Sequence, residues 1–345
     1  MKCTSKLKKI MICIAACVFL SGCSEPVALS NAYNADGAPL AYNLVGRSVT
    51  GGTIATPFSD SICVITEDIA AQDGSKLSRV GSALLVNSKS NTALYAENVH
   101  QSMNPASLTK VLTALVALEY GNLEDTITVS ENAMVTEDGA QVIGLKAGDK
   151  LTLEQALHGL LMYSGNDVAL AIAEHVGGSV EQFISMMNET AAKLGATNTH
   201  FSNPHGLTDA EHYTTAYDLY LIFNAAIKSE KFVEIIQTNT YTTTYTLADG
   251  SSKEVTWNTT NKYLQENSGY RSPENVTVIG GKTGTTAAAG SCLILFSKDA
   301  SGNNYISVIL NADDRTVLYT NMTKLLSLIN GGTLQDTGGD PQENT

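Results

Sequence analysis

Basic residues are scarce in this sequence. Its 345 residues hold 21 Lys and Arg against 34 Asp and Glu, a formal net charge of −13. That balance lacks the basic footprint by which proteins hold nucleic acid, and anionic polymers would be repelled. Long apolar runs are also missing. The longest, residues 10–20, has 11 residues, where a membrane-spanning helix needs about 20. No His-Glu-x-x-His is present, so the zinc-peptidase pattern is absent. No Gly-x-Ser-x-Gly is present either, which removes support for the nucleophile elbow of α/β-hydrolases. With 7 Pro, 28 Gly and 43% hydrophobic residues, the composition is that of a globular chain, not a disordered, collagen-like or coiled-coil one. The length allows one large domain or two small ones around a substantial core.

Cysteine is sparse where it would staple a fold. Four of the six lie near the start, at Cys3, Cys13, Cys17 and Cys23. Lys2, Lys6, Lys8 and Lys9 precede the apolar run, which ends in Leu20-Ser21-Gly22-Cys23. This arrangement resembles a bacterial lipoprotein signal over residues 1–22. The resemblance implies lipidation at Cys23 and an extracytoplasmic domain held by that lipid on the outer face of a bacterial cell membrane. An ordinary secretory leader is the alternative. Residues 1–22 hold four Lys and no acid, so their removal leaves 17 basic against 34 acidic residues, a net charge of −17. Cys63 and Cys292 remain, and pairing or two buried free thiols are both open.

Residues 23–58 are rich in Ser, Asn, Ala, Gly and Thr without periodicity and read as a flexible tether. Residues 331–345 read as a disordered tail. The span 59–330 reads as one catalytic domain. It opens with a hairpin, 80–86 and 92–97. A helix over 107–120 follows, marked by Pro105 and Gly121 and apolar nearly all round, as a central buried helix is. A helical block over about 121–235 comes next, with Thr152 and Gln155 placed as a capping box. A second hairpin turns at Asp249-Gly250, and three strand-like runs, 276–286, 291–297 and 305–311, precede a closing helix over 316–329. Segregated helices and antiparallel strands predict an α+β fold.

Three short motifs carry chemistry. Ser107 and Lys110 stand three apart on one helical face, where a Lys kept neutral by burial and by the positive helix end can take the Ser proton. The pattern alone is cheap, since Ser5-Lys6-Leu7-Lys8 also fits it. Ser164-Gly165-Asn166 falls between two helices and offers a hydroxyl for proton relay and an amide for a carbonyl; helix capping is the bland reading. Lys282-Thr283-Gly284 follows Gly280-Gly281 in a strand, where Gly marks close backbone approach. A Lys with neighbouring hydroxyls there suits a carboxylate.

Taken together, in order and on those elements, the motifs resemble the active sites of penicillin-binding proteins and serine β-lactamases. Further segments match: 82–98, Asn104-Pro105-Ala106 before Ser107, 145–152, 163–167, 199–207 and 280–293. Over about residues 80–325 the chain resembles the low-molecular-mass penicillin-binding proteins, the serine-type D-alanyl-D-alanine carboxypeptidases. The resemblance implies a β-lactamase/transpeptidase-like fold, an antiparallel sheet flanked by helices with an inserted all-helical subdomain. It implies removal of the terminal D-Ala from peptidoglycan stem peptides through an acyl-enzyme, with β-lactams as covalent inhibitors and no cofactor or metal. By position, Ser107 is the nucleophile, Lys110 its base and Ser164 the relay. Asn166, Lys282, Thr283, Gly284, Thr285 and Arg315 would bind substrate, and the N–H groups of Ser107 and Thr285 would form the oxyanion hole. Some relatives carry a β-rich second domain and a C-terminal amphipathic anchor. Neither is expected here, and Cys23 would supply the anchor.

Rival readings differ at definite residues. Class A-like β-lactamases use Ser-Asp-Asn and a Glu-x-x-Leu-Asn segment. Here Gly165 takes the middle position, and the lone Leu-Asn, Leu310-Asn311, has Ser307 in place of Glu. A transpeptidase or endopeptidase of the same fold, and a catalytically silent binder of wall peptides or β-lactams, remain alternatives. His200, His205 and His212 read as structural and not as metal ligands, and Tyr241 and Tyr245 as packing residues.

Overall fold

The computed structural model describes residues 62–334. The expected leader over 1–22, the whole expected tether over 23–58 with Cys23, residues 59–61, and tail residues 335–345 lie outside the described residues. Five antiparallel strands form the main sheet: β1 (Ser82–Asn87), β2 (Thr92–Glu97), β7 (Val276–Thr286), β8 (Gly290–Asp299) and β9 (Asn304–Ala312). Their order is β2-β1-β9-β8-β7, so the first hairpin is completed by the last three strands. Both faces are covered, and side chains alternate accordingly. Leu84, Val86, Ile294, Phe296, Ile306 and Val308 join the main helical core. Leu85, Leu293, Leu295 and Ile309 instead pack with Leu318, Met322 and Leu325 of the closing helix α7 (Arg315–Ser327).

The central helix α1 (Thr109–Tyr120) is buried over most of its length. It begins two residues later than the spacing predicts, because Ala106–Leu108 form a 3₁₀ turn ahead of it. The block that follows contains α2 (Leu153–His158), α3 (Asn166–Gly177), α4 (Val180–Lys193), α5 (Ala216–Ala226) and α6 (Glu230–Gln237). Side chains cap α2, α4 and α5, the expected Thr152–Gln155 pair among them. Thr152 and Gln155 complete a capping box at α2, Ser179 accepts from Gln182 N, and Thr215 accepts from Asp218 N.

Three features depart from the sequence reading. The helical block ends two residues later than the expected bound, at Gln237, because Ser229 caps a last helix, α6, there. The run after α2 is not α-helical to its end, since residues Gly159–Tyr163 form a π-helical turn. The helical block also carries two three-residue strands, β3 (Thr126–Thr128) and β4 (Lys150–Thr152). They pair with each other and, through Lys150 and Thr246, with the second hairpin, β5 (Thr240–Thr246) and β6 (Ser252–Asn258). The result is a second, four-stranded sheet beside the helices. On it Tyr241 stacks against His158 at 3.7 Å between ring centroids, and Tyr245 is buried. Cys63 and Cys292 are both buried free thiols. Burial pushes both thiols upward, Cys292 to about 12.

Candidate active site

Three parts of the chain meet in one cleft of about 560 Å³: the 3₁₀ turn before α1, the turn between α2 and α3, and the edge strand β7. Glycine allows the closest of these approaches. A β-carbon on Gly284 would lie 2.9 Å from Ser107 N and 3.0 Å from the Ala106 β-carbon, so only Gly lets β7 run against the nucleophile's turn.

Lys110 is fully buried, and its Nζ lies 2.9 Å from Ser107 Oγ, 2.7 Å from Asn166 Oδ1 and 2.5 Å from the His205 carbonyl oxygen. Loss of solvation, and secondarily the charge of Lys282, hold this amine well below the usual Lys range, while Asp167 acts the other way. Two of its three partners can only accept. A neutral Lys110 that donates to Asn166 Oδ1 and to His205 O therefore has its lone pair left for the Ser107 hydroxyl.

Ser164 ends the π-helical turn in the left-handed region, at φ 71°. π-Turns and left-handed residues are costly and collect at functional sites. The Ser164 Oγ accepts from Lys282 Nζ at 2.8 Å, and Lys282 also donates to the Thr283 carbonyl at 2.8 Å. Lys282 is 1% exposed, and burial brings its pKa down to about 7. Asn166 and Asp167 open α3. Asn166 N donates to the Gln141 carbonyl, and the buried Asp167 carboxylate accepts from the N–H groups of Ile143, Gly144, Leu145 and Val168. Asp167 thus pins residues 143–145, and Asn166 N pins Gln141, along the cleft.

The other predicted residues, Thr283, Gly284, Thr285 and Arg315, line the same cleft. Thr283 Oγ1 is 2.7 Å from Thr260 Oγ1, and Thr260 N donates to the Met162 carbonyl, so the β6–β7 connection stitches the Ser164 turn to β7. Arg315, the first residue of α7, is exposed and forms no ion pair among the described residues. The adjacent Asp313 and Asp314 are engaged by Arg79, at 2.7 and 3.5 Å. Every predicted site residue except Cys23, which lies outside the described residues, is thus in or against one cleft.

Sequence reading gave no role in this site to Asp167, Thr260 or the pair Thr109–His212. Asp167 follows Ser164-Gly165-Asn166 directly, which was an available signal. Nothing near Thr260 in the chain marks it, and His212 reads there only as a structural histidine.

The model of the D-alanyl-D-alanine carboxypeptidase family, peptidase S11, matches residues 69–314. D-alanyl-D-alanine carboxypeptidase DacF of Bacillus subtilis (strain 168) is 33% identical over 269 residues, covering 74% of this chain and 64% of the relative. DacD of Escherichia coli (strain K12) is 33% identical over 243 residues, covering 68% and 58%. The chain therefore spans about three fifths of the length of these two relatives. The D-alanyl-D-alanine carboxypeptidase of Streptomyces sp. (strain K15) is 30% identical over 294 residues, covering 82% of this chain and 94% of that one. Among solved structures, the crystal structure of the Streptomyces K15 DD-transpeptidase is 30% identical with a TM-score of 0.67, covering 73% of this chain and 97% of that one.

Proposed function

We propose that this chain, which belongs to the D-alanyl-D-alanine carboxypeptidase family, is a serine DD-carboxypeptidase that removes the terminal D-Ala from peptidoglycan stem peptides. The observation that carries the reading is the buried Lys110 amine 2.9 Å from Ser107 Oγ, with its other two partners unable to donate. Lys110 takes the Ser107 proton, and Ser107 Oγ attacks the carbonyl between the two D-Ala residues. The oxyanion is received by the N–H groups of Ser107 and Thr285. Preorganised donors of this kind are each worth on the order of 3–4 kcal/mol in the transition state. Ser164, which accepts a hydrogen bond from Lys282, relays to the leaving amine the proton that Lys110 took from Ser107, so the amine is released neutral and Lys110 is a free base again. Thr283, Thr285 and Arg315 hold the terminal carboxylate, with Asn166 on the substrate amide. Water then cleaves the ester with Lys110 again as base, and β-lactams acylate Ser107 by the same route.

A second reading, transfer of the acyl group to an amine, is favoured by one fact: a structural relative over most of this chain is described as a DD-transpeptidase. The test is to give the purified protein a peptide ending in D-Ala-D-Ala, with and without an amine acceptor. Free D-Ala with a hydrolysed product supports the carboxypeptidase. An acceptor-linked product in place of hydrolysis supports the transpeptidase. Penicillin labelling with no D-Ala release supports a silent binder, and fast penicillin turnover a β-lactamase.

We also propose that Cys23 is lipidated and holds the domain on the outer face of the cell membrane. The support is the basic, apolar and small-residue order ending at Cys23. Radiolabelled fatty acid in the wild type and none in Cys23→Ala is the expected result; label retained in the variant overturns it.

A further inference from the structure

His212 has no part in the steps above, yet it is 1% exposed and touches the nucleophile's own turn. Its Nδ1 accepts from Ser202 N–H at 3.0 Å. That nitrogen therefore carries no proton, and Nε2 carries it. Nε2 lies 2.7 Å from Thr109 Oγ1, so the ring donates to the hydroxyl. The hydroxyl in turn donates to the Ala106 carbonyl at 2.9 Å. Thr109 is fully buried, so water does not compete. Burial holds the His212 ring down to about 4, which keeps it neutral and the order of donors fixed.

The receiving carbonyl is special. Ala106 sits in the left-handed region at φ 48°, which a residue with a β-carbon and no polar side chain does not adopt unaided. Its C=O belongs to the same planar peptide as the N–H of Ser107. In a trans peptide the two bonds point in opposite directions, so fixing the oxygen aims the N–H. A hydrogen bond at the oxygen also polarises the amide and strengthens the N–H as a donor. The other side of the carbonyl is closed by Gly206, where a β-carbon would fall 1.9 Å from Ala106 O.

Resting on the serine-acylation reading, we infer that His212 and Thr109 are positioning residues for the oxyanion hole. Through Thr109, His212 fixes the Ala106–Ser107 peptide whose N–H meets the developing charge. Neither touches substrate.

The experiment compares Thr109→Val, which keeps shape and loses the hydroxyl, Thr109→Ser, which keeps the hydroxyl, and His212→Phe. Each is measured for melting temperature, KM and kcat on a D-Ala-D-Ala peptide, penicillin acylation rate, and affinity for a peptide boronic acid, whose tetrahedral adduct places an oxygen in the hole. Thr109→Val and His212→Phe are expected to lose about ten-fold or more in acylation rate and kcat, with boronate affinity falling in step and KM nearly unchanged. Thr109→Ser is expected to restore most of the rate. A folded Thr109→Val protein with wild-type acylation and boronate affinity overturns the inference, whatever His212→Phe does to stability. Wild type that is acylated by penicillin but releases no D-Ala overturns the carboxypeptidase reading alone, because the variants are still scored against wild-type acylation.

Discussion

The amine of Lys282 lies 2.8 Å from Ser164 Oγ, while the amine of Lys110 lies 2.9 Å from Ser107 Oγ. Two buried lysines therefore each serve one serine, and both are short of their ordinary charge because neither is solvated. That arrangement divides the proton traffic. Lys110 takes the proton from the nucleophile, and Ser164, held by Lys282, hands that same proton to the leaving group.

Removing the base should be severe. Lys110→Ala is expected to slow penicillin acylation by about 10²–10⁴-fold, the usual contribution of a positioned general base. Rapid mixing with a fluorescent penicillin measures it. A rate within a few-fold of wild type would remove Lys110 from the role.

Asp167 raises the Lys110 pKa through its charge. Asp167→Asn should therefore lower that pKa further and move the acid limb of the acylation pH profile to lower pH. The weakened contacts to residues 143–145 should also cost roughly 1–3 kcal/mol of stability. A pH–rate profile with a denaturation curve tests both, and a limb that moves upward contradicts the electrostatic assignment.

Lys282 gives a stability prediction. Its folded pKa is about 7 against a reference of 10.5. Between those values the unfolded chain binds more protons than the folded one, so this group makes stability rise with pH from about 7 to about 10.5. Below pH 7 the Lys is charged in both states and its burial penalty is fully felt. The stability of wild type relative to Lys282→Gln is therefore expected to improve from pH 7 to pH 10. Melting temperatures of the two across that range decide it; a constant or shrinking difference is the contrary outcome.

Gly206 and Gly250 both have φ near +87°, but only Gly206 faces a wall: 1.9 Å to Ala106 O against nothing within 4 Å. Gly250→Ala should cost about 1 kcal/mol of strain and leave acylation unchanged. Gly206→Ala should cost more and slow acylation, because it displaces the peptide before Ser107. Equal behaviour of the two would contradict the packing argument.

Arg315 is tested by substrate charge. Arg315→Gln is expected to lower kcat/KM about ten- to hundred-fold for a peptide with a free C-terminal carboxylate, the loss of one charge-assisted contact. The amidated peptide should be nearly unaffected. Equal losses on both would remove Arg315 from carboxylate recognition.

Much of this was legible in the chain because it is local. Ser107 and Lys110, Ser164 and Asn166, and Lys282 to Thr285 are short contiguous motifs, and Thr152, Ser179 and Thr215 announce helix starts within three residues. What escaped is long-range or very short. Thr109 and His212 are 103 residues apart, and Thr260 and Thr283 are 23 apart. Their pairing exists only after the 199–214 loop and the β6–β7 connection fold over the cleft. Strands β3 and β4 have three residues each, too few for a period-2 pattern to register. The π-helical turn keeps the apolar spacing of an α-helix nearly to its end, and only the left-handed Ser164 betrays it.

The most direct test is to trap the acyl-enzyme. The protein is mixed with penicillin, and separately with a D-Ala-D-Ala peptide, then quenched, digested and mapped by mass spectrometry. The expected adduct lies on Ser107 in both cases and is absent from Ser107→Ala, which also releases no D-Ala. An adduct on another residue, or D-Ala release by Ser107→Ala, would contradict the account.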